Sequence, residues 1–216
     1  MPEQIMKPHF YAGLDEAGRG CVIGPMAIAI VAANPKDRRW FAEIGVKDSK
    51  LLTPKKREDL ATRIRERCWY RIIIAHPKEI DEVVRSEDRS LNTLEQSMMS
   101  SLIREFQKEF IDIEARILSD AISRNTDKHA ARLQELSIPV PHHIIQARIA
   151  ADRIDKTVGA ASILAKSERE RLLAELQAIT PFDFGSGYSG DQKAINFLKQ
   201  CEPGSPIVRW SWKINR

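Results

Sequence analysis

HFYAGLDEAGRGCVIGPMAIAIVAA, residues 9–33, holds a short apolar run, two adjacent carboxylates, a glycine-rich bend and a second, longer apolar run. The first run reads as a strand ending near Asp15 and Glu16, and GPMAIAIVAA reads as a buried strand. Working outward, CWYRIIIAH supplies a third strand rich in β-branched and aromatic residues, EARILSDA a fourth and HHIIQAR a fifth. Helices are expected over residues 37–44 and from Pro54 onward, where Thr53 can cap and proline suits the first helical position. Within residues 92–110, Leu94, Met98, Leu102, Phe106 and Phe110 recur every four residues, a stripe that reads as core. KHAARLQELS is a connecting helix, and AASILAKSERERLLAELQA lies in a helix over residues 158–178. Strands alternating with helices predict an α/β architecture around a mostly central sheet. One domain is expected, its sheet complete by about residue 157 and residues 158–216 forming a helical C-terminal portion, because no linker composition marks a boundary.

A chain of 216 residues has room for one substantial domain. No stretch approaches the roughly 18 apolar residues of a membrane span, and MPEQIMKPHF lacks an apolar signal core. Cys21, Cys68 and Cys201 are odd in number and far apart, which suggests neither a disulfide framework nor a zinc site. These features point to a reduced, cytoplasmic protein. The net charge of +4 and pI near 9.0 are compatible with a polyanionic partner without demonstrating one. Basic residues crowd at Lys47, Lys50, Lys55, Lys56 and Arg57 and again at Arg209, Lys213 and Arg216; each cluster alone reads as a solvated face. The five histidines show no metal-ligand spacing, and His142-His143 reads as structural or surface.

The acidic residues are more informative. Asp15 and Glu16 end the first strand, Asp120 ends another, and Asp152 lies between a strand and a helix. Strand ends are where α/β sheets build ligand sites. An adjacent Asp-Glu pair is usually just surface, and neighbouring strand residues point to opposite faces. Both reach one site only where the strand is ending, and the bend at Gly18 supplies that ending. Two carboxylates about 4 Å apart repel by roughly 4 kcal/mol at an effective dielectric of about 20. An all-oxygen cluster of this kind suits Mg²⁺ or Mn²⁺ and not zinc.

Gly18, Gly20 and Gly24 have neither dinucleotide nor P-loop spacing, and a strand follows them instead of a helix. A nucleotide cofactor is not indicated. The glycines suit close approach of backbone to substrate, with Arg19 supplying charge or a stacking plane.

YAGLDEAGRGCVIGPM, GVKDSKLLTPKKRE, AASILAKSERER and GSGYSGD resemble, in order, four blocks of the ribonuclease HII family. The resemblance implies a ribonuclease H-like mixed sheet flanked by helices. It implies that Asp15, Glu16, Asp120 and Asp152 hold two divalent ions, Mg²⁺ or Mn²⁺. Asp155 competes with Asp152 for its role, and Asp112 with Asp120. Gly18, Arg19 and Gly20 match the triplet that reads the 2′-hydroxyl and the scissile phosphate, and Tyr188 matches the tyrosine packing on the sugar at the RNA–DNA junction. Cys21 stands where many members carry proline, which implies a less rigid bend. Lys47, Ser49, Lys50, Ser162, Lys166 and Lys213 are the expected phosphate contacts. The implied substrates are RNA/DNA hybrids and DNA duplexes containing ribonucleotides, cut to leave 3′-hydroxyl and 5′-phosphate ends. QKAINFL lacks the terminal aromatic pair of a clamp-binding motif and lies in a helix, so no clamp partner is indicated, and a monomer is expected. Two rivals remain open: a junction-cutting or transposase-like nuclease, and a non-catalytic hybrid-binding protein.

Overall fold

The computed structural model describes residues 9–46 and 52–212. Strands β1 (Phe10–Ala17), β2 (Met26–Ala33), β3 (Tyr70–Ala75), β4 (Ala115–Asp120) and β5 (His143–Arg148) form one sheet in the order β3-β2-β1-β4-β5. β2 is antiparallel to β1 and β3, whereas β4 is parallel to β1 and β5. The sheet is therefore mixed, as expected. The parallel trio matters most, because the C-terminal ends of β1, β4 and β5 fall along one edge of the sheet.

The described helices are α1 (Pro35–Glu43), α2 (Pro54–Arg67), α3 (Pro77–Val84), α4 (Leu91–Glu109), α5 (Thr126–Glu135), α6 (Ala151–Ile154), α7 (Lys156–Ala178) and α8 (Gln192–Gln200). Thr53 accepts from the Lys56 N–H and Pro54 opens α2, as the sequence predicts. α1 begins earlier than the periodicity indicates because Asn34 and Asp37 close a capping box around Pro35. α3, which the sequence reading did not anticipate, is a short helix opened by Pro77. None of the described helices is long and apolar enough to cross a membrane.

β2 is buried along its whole length, and its alternation splits the core in two. Ile28, Ile30 and Ala32 face Ile80 of α3, Leu133 of α5 and the α4 stripe of Met98, Met99, Leu102 and Phe106. Ala27, Ala29, Val31 and Ala33 face Phe41 of α1, Leu60 and Ile64 of α2, and the small-residue face of α7. Each fully buried Leu, Ile, Met or Phe contributes roughly 1.5–3 kcal/mol. α7 approaches β1 so closely that a Cβ at Gly13 would lie 2.3 Å from the Thr157 carbonyl carbon and the Val158 nitrogen. Only glycine permits this packing.

A third apolar cluster joins the C-terminal portion to the glycine bend through Val22, Ile23, Leu173, Phe184, Phe197, Leu198 and Val208. Ile23 pairs with Val208, and Asp81 of α3 accepts bonds from the backbone N–H groups of Trp210 and Ser211 at 2.8 and 2.9 Å. The solvated-face reading of the basic clusters fails at two positions. Arg57 is buried, donating to Glu170 and to the Leu52 carbonyl at 2.8 Å, so it ties α2 to α7. Arg209 is fully buried against the bend. Both guanidiniums find carbonyl or carboxylate acceptors that a helix-face reading cannot foresee.

Candidate active site

β1 delivers Asp15 towards α7 and Glu16 towards the opposite face, and the chain turns at Gly18 before either is carried away from the sheet edge. One oxygen each from Asp15, Glu16 and Asp120 lie within 4.8 Å of one another. Burial, followed by the charge of Glu16, holds the Asp15 carboxyl well above the ordinary carboxylate range. Bonds from the Ser162 hydroxyl and the Glu16 N–H, the latter at 2.8 Å, oppose that rise. Burial and then Asp120 push Glu16 up as well, with Arg19 pulling it down. Glu16 Oε2 is buried and, among the described residues, has no hydrogen-bond partner. Crowded carboxylates with an orphaned oxygen fit a hard, oxygen-seeking divalent cation.

Asp120, the last residue of β4, accepts from the Ala151 backbone N–H at 2.7 Å. The preceding Ala150 is held at φ 53°, in the left-handed region that L-residues avoid. This turn leads into α6 and places Asp152 on the wall of the same open cavity, about 740 Å³, as Asp15, Glu16 and Asp120. Asp152 is not one of the three residues whose oxygens converge. Its sequence competitor is otherwise engaged: Asp155 caps α7 by accepting from Thr157 and Val158, and pairs with Arg38 Nη2 at 2.6 Å. Asp112 lies at the far end of the strands, beside His9, Glu114 and His142.

Gly18, Arg19 and Gly20 also line the cavity. Gly18 adopts φ +84°, and a Cβ there would meet Arg169 Nε at 2.2 Å and the Pro25 carbonyl at 2.8 Å. The bend is gripped by two buried arginines. Arg209 donates to the carbonyls of Arg19 and Gly24, each at 3.0 Å. Arg169 donates to Pro25 at 3.1 Å and to Ser186 at 3.2 Å, linking the bend to the loop of Tyr188. Tyr188 pairs with Cys21, lies 5.6 Å from the Arg169 guanidinium and is 46% exposed, leaving ring surface open to a ligand. Cys21 was expected to loosen the bend, yet its backbone N–H donates to the Gly18 carbonyl at 3.3 Å, a bond that proline lacks.

Lys166 and Ser162 line the cavity from α7. Ser162 sits in the second turn of that helix, and not at its start, because α7 begins at Lys156. Lys47, Ser49, Lys50 and Lys213 lie outside the described residues. The sequence does not single out Arg169, Asn92 or Glu95, and Arg209 reads there only as part of a solvated basic cluster. The signal for Glu95 was present: it precedes Met98, Met99 and Leu102 by three, four and seven residues, a carboxylate on the buried face of α4.

A family model described as Ribonuclease HII matches residues 12–215. A ribonuclease HII from Methanococcus maripaludis is 41% identical over 208 residues, spanning 94% of this chain and 84% of the relative. The structure of the PCNA:RNase HII complex from Archaeoglobus fulgidus shares the fold at a TM-score of 0.82 and 32% identity, covering 95% of each chain. The ribonuclease H2 from Pyrococcus horikoshii OT3 gives 0.80 and 31%, covering 95% of this chain and 94% of that one. The mixed sheet is thus a ribonuclease H-like fold, and the chain clusters its strand-end carboxylates on that scaffold. Similarity of this extent, running through every block from the first strand to the C-terminal portion, places the chain in the ribonuclease HII family of ribonuclease H-type hydrolases.

Proposed function

We propose that this protein hydrolyses the RNA strand of RNA/DNA hybrids and cuts on the 5′ side of ribonucleotides embedded in duplex DNA, leaving 3′-hydroxyl and 5′-phosphate ends. The observation that carries the reading is the convergence of Asp15, Glu16 and Asp120 oxygens within 4.8 Å, with Glu16 Oε2 buried and without a partner among the described residues. Asp15, Glu16, Asp120 and Asp152 would hold two divalent ions, Mg²⁺ or Mn²⁺. Bound there, such ions supply an activated water and neutralise charge at the attacking and leaving oxygens.

The chain's own residues do the rest. Ser162 orients Asp15 by a hydrogen bond. Backbone groups of Gly18–Gly20, held by Arg169 and Arg209, meet the ribose 2′-hydroxyl, the group that distinguishes RNA from DNA. Arg19 faces the scissile phosphate. Tyr188 offers its open ring to the sugar at the junction. Lys166 and, outside the described residues, Lys47, Ser49, Lys50 and Lys213 contact phosphates and set register without reading sequence. A monomer working in the cytoplasm suffices for this chemistry.

The test is cleavage of a DNA duplex containing one ribonucleotide, with Mg²⁺, with Mn²⁺ and with chelator, alongside Asp152→Asn. Metal-dependent cutting 5′ of the ribonucleotide, lost in the variant, is expected. A folded protein that binds the duplex and never cuts it overturns the reading in favour of a non-catalytic hybrid binder.

A further inference from the structure

Arg19 does not reach freely into the cavity. Its Nε pairs with Glu95 Oε2 at 2.9 Å, and its Nη2 donates to Asn92 Oδ1 at 2.5 Å. Asn92 and Glu95 are three residues apart in the first two turns of α4, so they share a face and form a two-point cradle. The backbone of Arg19 is held separately, by Arg209 at its carbonyl. The guanidinium therefore depends on α4 for its position.

Glu95 is a costly residue to place there. Its side chain is wholly buried, Oε2 is paired with Arg19, and among the described residues Oε1 has no partner. A buried carboxylate in this state stabilises a fold poorly, and an apolar residue would pack with Met98 and Met99 at less cost. Arg19, by contrast, is a cation beside three crowded carboxylates. Glu16 already feels its charge, and Glu95 in turn feels Glu16. Released from Glu95, the guanidinium has Glu16 Oε2, without a partner among the described residues, as an alternative acceptor of a charge-assisted hydrogen bond.

We propose that Glu95 is a positioning residue for cleavage: it anchors the Arg19 guanidinium at the rim of the carboxylate cluster, so that this cation serves the substrate phosphate and does not collapse onto Glu16. The inference rests on the proposed function for its catalytic consequence, and on the structure alone for its effect on cation binding.

A double-mutant cycle of Glu95→Gln, Arg19→Ala and the double variant separates this role from packing or simple charge. The readouts are Mn²⁺ affinity by electron paramagnetic resonance titration, kcat and KM on the single-ribonucleotide duplex, and Tm. Glu95→Gln should weaken Mn²⁺ binding about fivefold and lower kcat about tenfold with little change in KM, about 1.4 kcal/mol on the barrier. With Arg19 already alanine, the same change should alter Mn²⁺ affinity less than twofold. Glu95→Asp keeps the charge but is one methylene too short, and should behave like Glu95→Gln. An equal effect of Glu95→Gln in both backgrounds, or a wild-type Glu95→Asp, overturns the proposal. If Glu95→Gln does not fold, Glu95→Met, close in volume and without charge, takes its place in the cycle. Failure of the wild-type protein to cut the duplex overturns the proposed function, while the Mn²⁺ cycle still decides the role of Glu95.

Discussion

The backbone N–H of Ala151 donates to Oδ1 of Asp120 at 2.7 Å, so the carboxylate that ends β4 also fastens the turn that carries Asp152. Asp120 thus has two separable duties. Asp120→Asn keeps an oxygen for the Ala151 N–H and removes a charge from the cluster. Calorimetry should show a Tm equal to or a few degrees above wild type, the scale of about 1 kcal/mol for a domain of this size. Cleavage and Mn²⁺ binding should be lost. Asp120→Ala should lose both activity and thermal stability.

Asp15, Glu16 and Glu95 all have folded-state pKa values above their ordinary ones, with burial the leading cause. The folded protein therefore holds protons that the unfolded chain has released. Stability from these groups is present at low pH and is lost as pH rises, for Glu95 between about 4.5 and about 7. Buried His129 and His143, whose pKa values burial lowers, act in the opposite sense, so the metal-free Tm of Glu16→Gln should rise relative to that of the wild type across that window. Millimolar Mg²⁺ or Mn²⁺ should raise Tm most at its upper end, and Glu16→Gln should flatten that response. A Tm difference between Glu16→Gln and wild type that stays constant with pH in this range would contradict the assignment.

Gly13 is the contact point between β1 and the start of α7, where a Cβ would lie 2.3 Å from two backbone atoms. Backbone cannot move aside as a side chain can. Gly13→Ala should cost about 3 kcal/mol, the upper end for overpacking, and lower Tm by roughly 10 °C. Because α7 carries Ser162 and Lys166, activity should fall even at temperatures where the variant is folded.

Tyr188 presents an open ring while its loop is held by Arg169. On the proposed function, Tyr188→Ala should lower cleavage of a single-ribonucleotide duplex relative to that of a long hybrid about tenfold, the scale of one lost stacking contact. Mn²⁺ affinity should not change, and Tyr188→Phe should keep most of the wild-type ratio. Competition cleavage of the two substrates in one tube reads this directly.

Lys166 lines the cavity beside the carboxylates. If it meets one phosphate, Lys166→Ala should reduce the slope of log affinity against log salt by about one unit, measured with a hybrid in the presence of Ca²⁺. An unchanged slope would remove it from the interface.

Much of this molecule is legible in the sequence because local physics leaves local marks. The five strands announce themselves as apolar, β-branched runs, Thr53-Pro54 marks the start of α2, and the α4 stripe is a four-residue rhythm. Asp15, Glu16 and Gly18 are bound to one place by adjacency in the chain. Arg57 and Arg209 show where such reading stops. In sequence each is one cation among several, and only the acceptors that surround it, Glu170 and Leu52 for one, Arg19 and Gly24 for the other, explain its burial.

By itself, then, the sequence determined the five strands, the capped start of α2, the α4 stripe, the bend and the chemical character of the site. Side-chain periodicity and covalent neighbourhood are enough for those. The tertiary structure alone decided that Asp120 meets Asp15 and Glu16, that Asp155 serves as a cap while Asp152 faces the cavity, and that Glu95 holds Arg19. The Asp155 cap itself is local, but its bond to Arg38 and the other pairings join residues dozens of positions apart. They depend on β4 lying parallel to β1 and on which face α4 presents to the sheet, and packing of the whole chain settles both.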